Sequence, residues 1–365
     1  MKNQKTIYEQ PLIYLIIFIV GFGIVMMSSA SSYVYNDYSY FLTKHIFRIA
    51  ISLIAFLIVY NIDFKYLKIY SSHILFISWL IIIAGYLFNE GSSTRRFLII
   101  FGKNIFTTSD FAKIALIIYT ANFIENNNQR INDLSILIKE YAPYAIFTLG
   151  LILFQPDLST TFIITAIIIT MLIIGGLSVK YILIPGLVLL LPIIFTILNT
   201  PYQKTRFLNW FYGDLNYQTK HSLEALGNGG FFGTGIGNSI IKNGYMPEVH
   251  TDFILPIIGE ELGFIGIFII FNTFSLIYYF GIKICKSAPD IFSSMLSLGI
   301  ITNILYYFLI NASYVVGITP TTGLPIPFIS YGGSQTIFSL LSIGILISIS
   351  KTNLRVNKTR YYYES

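Results

Sequence analysis

The stretch PLIYLIIFIVGFGIVMMSSA, residues 11–30, contains no charged residue. Twenty residues in a helix rise 1.5 Å each, which is enough to cross a hydrocarbon core of about 30 Å. The rest of the chain has the same character, because 55% of its 365 residues are hydrophobic and only 11% are charged. Soluble domains carry roughly 25% charged residues. The sequence therefore predicts an integral membrane protein whose first helix is retained, since the apolar core of a cleaved signal peptide is shorter.

Further apolar stretches follow the first at short intervals. Together they predict about ten transmembrane helices, near residues 11–32, 46–60, 73–88, 109–124, 141–154, 159–176, 181–198, 253–282, 291–312 and 333–350. If the N-terminus is cytoplasmic, more than half of the Lys and Arg residues lie in cytoplasmic loops or termini, as the positive-inside rule expects. The predicted fold is an all-α polytopic membrane protein, one domain over residues 1–365, with both termini cytoplasmic. The net charge of +6 is thereby attributed to topology rather than to nucleic-acid binding.

Two irregular outer segments interrupt this pattern. The joint at 199–252 has no clear helix or strand pattern, but its aromatic residues and the dense glycines of 227–237 predict an ordered, functional loop with tight turns. The second segment, GITPTTGLPIPFISYGGS at 317–334, contains three prolines and cannot continue a helix. Non-helical backbone at membrane depth must be buried or line a wet cavity. This segment is predicted to form a cavity wall, with an ordinary outer hairpin as the alternative.

Acidic residues concentrate in YMPEVHTDFILPIIGEELG, residues 245–263. Asp252 is predicted at or near a helix N-terminus, where helix capping alone would explain it. Glu260 follows about 12 Å further into the membrane on roughly the same face. A carboxylate at that depth indicates function or a buried partner. For Glu260 and Glu261 we favour a structural ion pair with Lys113, the lone cation of the fourth span, over direct chemistry.

Other charged residues permit more than one interpretation. Asp157 is predicted to cap the sixth transmembrane helix. Cations of the outer loop can together bind an anionic headgroup, and the set is Lys204, Arg206, Lys220 and Lys242. Arg95 and Arg96 can pair with Asp110, bind phosphate, or anchor to lipid headgroups. The four histidines are too scattered to predict a metal site, and the single cysteine excludes a cysteine cluster.

Several long motifs resemble the SEDS family, the bacterial FtsW and RodA proteins. The most specific are residues 245–263 and 317–334, supported by MMSSAS, STRRF, QPDLS and GNGGFFGTGIGNSIIKNGY. The resemblance covers essentially the whole chain, with the motifs in order on the expected outer joints. Local departures exist: Thr107, Thr108, Ser109 and Asp110 stand where the family usually has Gln-Pro-Ser-Glu, Phe97 replaces a Trp, and Ser159 replaces a Gly. Asp110 keeps an acid near Lys113, so a pair between them can survive in altered geometry.

This resemblance implies a peptidoglycan glycosyltransferase that polymerises lipid II at the outer face of the bacterial cytoplasmic membrane. It implies Asp252 as the general base that activates the 4-hydroxyl of the acceptor sugar, with inversion and an undecaprenyl diphosphate leaving group. The candidate substrate-binding residues are Arg206, Lys242, Glu248, Arg95, Arg96 and Ser330. The expected structural polar network is Lys113, Asp110, Glu260, Glu261 and Asp157. A divalent cation, Mg²⁺ or Mn²⁺, can assist, although no dedicated ligand set is visible.

The resemblance also implies partners, namely a class B penicillin-binding protein, other division or elongation proteins, and membrane lipid. GNS at 237–239, Lys242 and PTTGLP look more like FtsW than RodA. We therefore expect a role at the division septum, with a RodA-like elongation polymerase as the alternative. A lipid II flippase or other transporter would use the same cavity and charges, and a scaffold for a transpeptidase is a third interpretation.

Overall fold

The structure is a computed structural model that describes residues 8–31, 40–88, 96–100, 103–181, 194, 198–242 and 249–364. Its helices are α1 (Glu9–Ser31), α2 (Tyr40–Asn61), α3 (Lys65–Ile69), α4 (Ser71–Leu87), α5 (Thr108–Asn126), α6 (Leu134–Ile136), α7 (Ala142–Phe154), α8 (Leu158–Ile174), α9 (Pro201–Phe211), α10 (Tyr217–Gly229), α11 (Ile254–Ser287), α12 (Ile291–Val315) and α13 (Gly333–Glu364). A π-helical turn, Leu137–Tyr141, joins α6 to α7. One antiparallel hairpin pairs β1 (Phe97–Ile100) with β2 (Lys103–Thr107).

The all-α prediction is confirmed. Six helices of the described residues are long and apolar enough to cross a membrane: Glu9–Ser31, Leu42–Asn61, Leu134–Phe154, Ile254–Ser287, Ile291–Val315 and Gly333–Thr352. Two shorter apolar helices, α4 and α8, and the less apolar α5 occupy three more of the predicted spans. The seventh predicted span, 181–198, lies almost wholly outside the described residues.

Helix α5 lies at the centre of the bundle, packed against α4, α8 and α12. Nearly all of its side chains are buried, including Lys113 and Asp110. Because protein rather than lipid surrounds this helix, charged residues can be kept at its outer end. Close helix contacts elsewhere use small residues, as at Gly344 of α13, where an added Cβ would lie 3.0 Å from the carbonyl oxygen of Phe56 in α2.

The outer loop at 199–252 is ordered over its described residues, as predicted, but it contains helices that the sequence did not reveal. Helices α9 and α10 have only 11 and 13 residues and contain no long apolar run, which is the signal that identified the membrane spans. The side chain of Asn216 caps α10 by accepting a hydrogen bond of 2.8 Å from the N–H of Thr219. The expectation of a loop without helices is therefore wrong.

The part of this loop that follows α10 is docked into a break in α11. The break lies at Gly263, whose φ of 65° is left-handed and outside the helical region. It leaves two carbonyl groups without helical partners, those of Glu260 and Glu261. They accept hydrogen bonds of 2.9 Å each from the N–H groups of Thr234 and Gly235. The loop thus completes the hydrogen bonding of a helix that is interrupted about ten residues from its outer end.

The glycine-rich sequence permits this close approach. A Cβ at Gly229 would overlap the carbonyl group of Gly259, and one at Gly233 would overlap that of Glu261. Both contacts are backbone against backbone, so a side chain has no room to move aside. The turns predicted from the glycines are therefore present, and they serve to pack the loop against α11.

Candidate active site

A cavity of about 440 Å³ lies between the outer ends of α5, α8 and α12, the middle of α9, the start of α10, and the segment 317–334. The segment 317–334 is thus a cavity wall, as the sequence predicts. Five charged side chains line the cavity: Arg96, Asp110, Asp157, Arg206 and Asp252. Two cations and three carboxylates around one space are suited to bind a polar, charged substrate and to move a proton.

Asp252 directly precedes α11, whose N-cap position falls on Phe253. Its backbone carbonyl accepts two hydrogen bonds from α12, each 2.9 Å long, donated by Nδ2 of Asn311 and the hydroxyl of Tyr314. Nδ2 of Asn311 also lies 2.7 Å from the carbonyl oxygen of Leu324, and the Tyr314 hydroxyl, which has one hydrogen to share between the two carbonyls, lies 3.1 Å from it. Asn311 and Tyr314 therefore clamp the backbone of Asp252 to the segment 317–334.

Gly323 brings this segment against the carboxylate. Its φ is 72°, and a Cβ built on it would lie 3.2 Å from Oδ2 of Asp252. The preceding residue, Thr322, accepts a hydrogen bond of 2.9 Å at its carbonyl from the hydroxyl of Ser159 on α8. Ser159, a departure from the family pattern, thus supplies an additional attachment for the segment beside Asp252.

We expect Gly323→Ala to lower the turnover of the protein by more than tenfold, because the added methyl group would displace the Asp252 carboxylate. The matched control is Gly213→Ala. Gly213 has nearly the same backbone, with φ of 74°, but a Cβ there would meet no atom within 4 Å. Both variants carry a strain of about 1–2 kcal/mol, so only the contact with Asp252 differs. Equal turnover in the two variants would contradict the proposed role of this contact.

Asp110 and Lys113 form a buried ion pair on α5, with Nζ of Lys113 3.1 Å from Oδ1 of Asp110. The ammonium group also lies 4.0 Å from the centre of the Tyr307 ring, a cation–π contact. Ser334 donates a hydrogen bond of 2.7 Å to the other oxygen of Asp110. Asp110 and Lys113 are therefore paired even though residues 107–110 differ from the usual family sequence. The prediction that Lys113 pairs with Glu260 or Glu261 is wrong.

Asp157 caps α8, as predicted, by accepting a hydrogen bond of 3.2 Å from the N–H of Thr160. Its other oxygen accepts one of 3.0 Å from the hydroxyl of Ser109 on α5. Asp157 therefore joins two helices at the cavity wall, which gives it a structural role there.

The partner of Glu261 is Lys242, at 2.8 Å. The hydroxyl of Ser29 of α1 lies 2.6 and 2.7 Å from the two oxygens of the same carboxylate and donates its one hydrogen to that group. Lys242 is only 3% exposed and does not line the cavity, and its ammonium group also donates to the carbonyl of Gly237. The expectation that Lys242 binds substrate is therefore corrected, because the outer loop folds inward and its lysine neutralises the buried acid.

Glu260 is held by the same part of the loop. It accepts a hydrogen bond from the hydroxyl of Ser239 and one of 3.2 Å from the N–H of Ile240. Both glutamates are fully buried and absent from the cavity lining. Their carboxylates fasten the outer loop to α11.

The remaining candidates fall into three groups. Arg96 and Arg206 line the cavity. Ser330 is turned away from it and accepts a hydrogen bond of 2.8 Å from the N–H of Ile326, so it closes a turn instead of facing substrate. Arg95 and Glu248 lie outside the described residues.

Sequence reasoning missed several polar residues of the cavity, among them Tyr307, Tyr331, Ser334 and Gln335. Tyr331 and Ser334 lie inside the quoted motif SYGGS, and Gln335 follows it directly, so the motif itself was an available signal. Tyr307 had no signal, because an aromatic residue within an apolar helix is ordinary.

The described part of the cavity does not fit a dedicated site for a divalent cation. No three His, Cys, Asp or Glu side chains come together among the described residues. Asp110 and Asp157 already accept hydrogen bonds from protein donors. The cation stays a prediction, and no step below is routed through it.

The fold and the cavity define a multi-pass membrane protein with a charged site at the predicted outer side. The chain belongs to the cell cycle protein family of FtsW, RodA and SpoVE, whose model matches residues 10–355. Among curated proteins, it is 34% identical to a probable peptidoglycan glycosyltransferase FtsW of Trichlorobacter lovleyi, over 94% of this chain and 93% of that protein. It is 31% identical to stage V sporulation protein E of Bacillus subtilis, over 96% and 99%.

Solved structures share the fold. One is a chain of a peptidoglycan synthase complex described for its coordination of polymerization and crosslinking, with a TM-score of 0.79 and 20% identity, covering 94% of this chain and 98% of that one. Another is the rod shape determining protein RodA of Thermus thermophilus, with a TM-score of 0.70 and 19% identity, covering 94% and 96%. At these identities the likeness is one of architecture.

Proposed function

We propose that this protein is a peptidoglycan glycosyltransferase that polymerises lipid II into glycan strands at the outer face of the cytoplasmic membrane. The observation that carries the proposal is the position of Asp252, a carboxylate fixed by α12 and Gly323 in a cavity that Arg96 and Arg206 also line. Near-full-length relatives named as glycosyltransferases of the FtsW type support the same activity.

In this reaction the carboxylate of Asp252 and the two arginines of the cavity have different tasks. Asp252 accepts the proton of the acceptor 4-hydroxyl as that oxygen attacks the anomeric carbon of the donor. The bond from this carbon to the diphosphate oxygen breaks, and its electron pair leaves with the diphosphate. Attack opposite to the leaving group inverts the anomeric centre. Arg96 and Arg206 stabilise the negative charge that develops on the departing group.

The clamp on Asp252 serves this step by preorganisation. Asn311 and Tyr314 hold the backbone of Asp252, and its side chain lines the cavity. A base that is already in position costs little reorganisation when the acceptor arrives.

The setting of the reaction follows from the same proposal. The protein acts in the bacterial inner membrane at the division septum, in line with the FtsW names of several relatives. Its partner is a class B penicillin-binding protein that crosslinks the new strands, and the likeness to a chain of a polymerizing and crosslinking complex supports such a partner. Other division proteins and membrane lipid complete its surroundings.

Purified protein in lipid vesicles with labelled lipid II tests the activity. We expect glycan polymers on gel electrophoresis, with a greater yield when a class B penicillin-binding protein is added. A transporter would instead move labelled lipid II between leaflets without forming polymer. Absence of polymer both with and without the partner, from folded protein, would refute the proposal.

A further inference from the structure

A second cavity, of about 500 Å³, lies where α4 starts, α5 ends and α7 starts, on the side that the sequence predicts to be cytoplasmic. Its volume is in the range of small-molecule sites. The amide groups of Asn122, Asn126 and Asn127 line it. The reaction at Asp252 takes place on the predicted outer side and does not use this cavity, so its polar lining calls for another ligand.

One wall of this cavity is the π-helical turn Leu137–Tyr141, which contributes the side chains of Lys139 and Glu140. Turns of this kind occur frequently at functional sites. The hydroxyl of Tyr119 on α5 donates a hydrogen bond of 2.9 Å to the backbone carbonyl of Glu140, which attaches the turn to the helix bundle. Neither charged side chain forms an ion pair with another described residue. A cation and a carboxylate are therefore both available to a ligand.

Two aromatic rings line the same cavity. They belong to Tyr119 and Tyr144, and their ring centres are 5.2 Å apart. The face of an aromatic ring attracts an ammonium group that lies within about 6 Å of its centre. Together with the Glu140 carboxylate, the rings can therefore bind a cationic group, while Lys139 and the asparagine amides can bind an anionic one.

An apolar surface continues from the cavity along α4 and α7. Tyr144 stacks on Trp79 of α4 with 6.1 Å between ring centres, and the ring of Phe147 on α7 lies 4.8 Å from that of Trp79. Phe147 and Phe76 are 48% and 55% exposed, and both lie within predicted membrane spans, where lipid chains surround exposed side chains. The polar cavity and the apolar surface therefore adjoin at Tyr144, as a site for a phospholipid requires.

We propose that this cavity and the adjoining aromatic surface bind a zwitterionic phospholipid of the inner leaflet whose headgroup carries a primary ammonium group, as in phosphatidylethanolamine. The phosphate binds at Lys139 and the ammonium group at Glu140, while the acyl chains lie against Phe76 and Phe147. One cation and one carboxylate match a headgroup that itself carries one charge of each sign. This inference does not depend on the polymerase activity.

The same two charges distinguish this headgroup from other common ones. An anionic headgroup such as phosphoglycerol would bring like charge to the Glu140 carboxylate without a cation to pair with it. The quaternary ammonium group of phosphatidylcholine has no N–H to donate to that carboxylate, so it forgoes a charge-assisted hydrogen bond. The site should therefore prefer the primary amine.

Tryptophan fluorescence of the full-length protein in nanodiscs tests this site. The chain has two tryptophans, so Trp210→Phe leaves Trp79 as the only reporter, directly beside the apolar part of the site. Phosphatidylethanolamine with brominated acyl chains, which quench nearby tryptophan, is added at increasing mole fraction to unbrominated phosphatidylcholine. Brominated phosphatidylcholine and brominated phosphatidylglycerol are the comparison probes. Thermal unfolding verifies that each variant is folded.

Glu140→Gln removes the carboxylate while keeping nearly the same shape, and Lys139→Gln removes the cation. The matched control for the first is Glu9→Gln, the same change at the start of α1, at a residue that does not line the cavity.

We expect half-maximal quenching by phosphatidylethanolamine at about a fivefold lower mole fraction than by phosphatidylcholine, the preference that one exposed charge contact can supply. Both variants of the cavity should lose this preference, and Glu9→Gln should keep it. Equal quenching by all three lipids would overturn the proposal, because Trp79 would then contact bulk lipid alone. A preference for phosphatidylglycerol would overturn it as well, in favour of a simple anion site. So would an ethanolamine preference that persists in both folded variants.

Discussion

Asp252→Asn is expected to abolish lipid II polymerisation, with turnover reduced by about 10²–10⁴-fold, the usual contribution of a general base. The amide has nearly the shape of the carboxylate but cannot accept the proton of the acceptor hydroxyl. The clamp is retained, since Asn311 and Tyr314 bind the backbone carbonyl and not the side chain. Thermal stability should therefore stay close to that of the unchanged protein, and the measurement is the initial rate of polymer formation from labelled lipid II.

Asp214→Asn provides the matched control in the same outer loop. The side chain of Asp214 is 74% exposed and lies 3.6 Å from Lys220, an exposed ion pair of little energetic weight. It should polymerise at the normal rate. If Asp252→Asn polymerised as fast as Asp214→Asn, then Asp252 would not be the base. Loss of lipid II translocation in the same variant would then favour a transporter.

The positions of the described membrane helices could be predicted from the sequence because each depends on a local property, the length of an apolar run. The wall formed by 317–334 was predictable for a similar reason, since Pro320, Pro325 and Pro327 are spread over too many residues for all three to stand in the first turn of one helix. Helices α9 and α10 were not, because neither contains a long apolar run, and α10 is stabilised by the cap of Asn216 and by packing against α11. Neither feature has a periodic signature.

Charge partners were the least predictable part of the site. Asp252 could be selected because an acid at the membrane surface beside an irregular segment is unusual, and because its motif resembles a known family. The partner of Glu261 could not be selected, since it depends on how residues 229–242 fold back against the break at Gly263. Lys113 was the expected partner because it is the lone cation of the fourth predicted span. Lys242 instead belongs to the loop 199–252, which the sequence assigns to the outer side.

The ion pair of Lys242 and Glu261 is expected to contribute strongly to the stability of the protein. Lys242→Met should lower the free energy of unfolding by about 3–5 kcal/mol, the cost of leaving a buried charge without its partner. Glu261 would keep the hydrogen of the Ser29 hydroxyl but lose the only cation that contacts it among the described residues. The measurement is the unfolding midpoint of the purified protein in mixed micelles.

The double variant Lys242→Met with Glu261→Gln separates charge from packing. Because both charges are removed, it should recover most of the lost stability, as replacements of whole buried pairs generally do. Lys220→Met, at a lysine whose side chain is 58% exposed, serves as the control and should change the midpoint little. A double variant as unstable as Lys242→Met would mean that the stem of the lysine, not its charge, holds the loop in place. Recovery would instead establish that one buried ion pair fastens the outer loop to the broken helix just below Asp252.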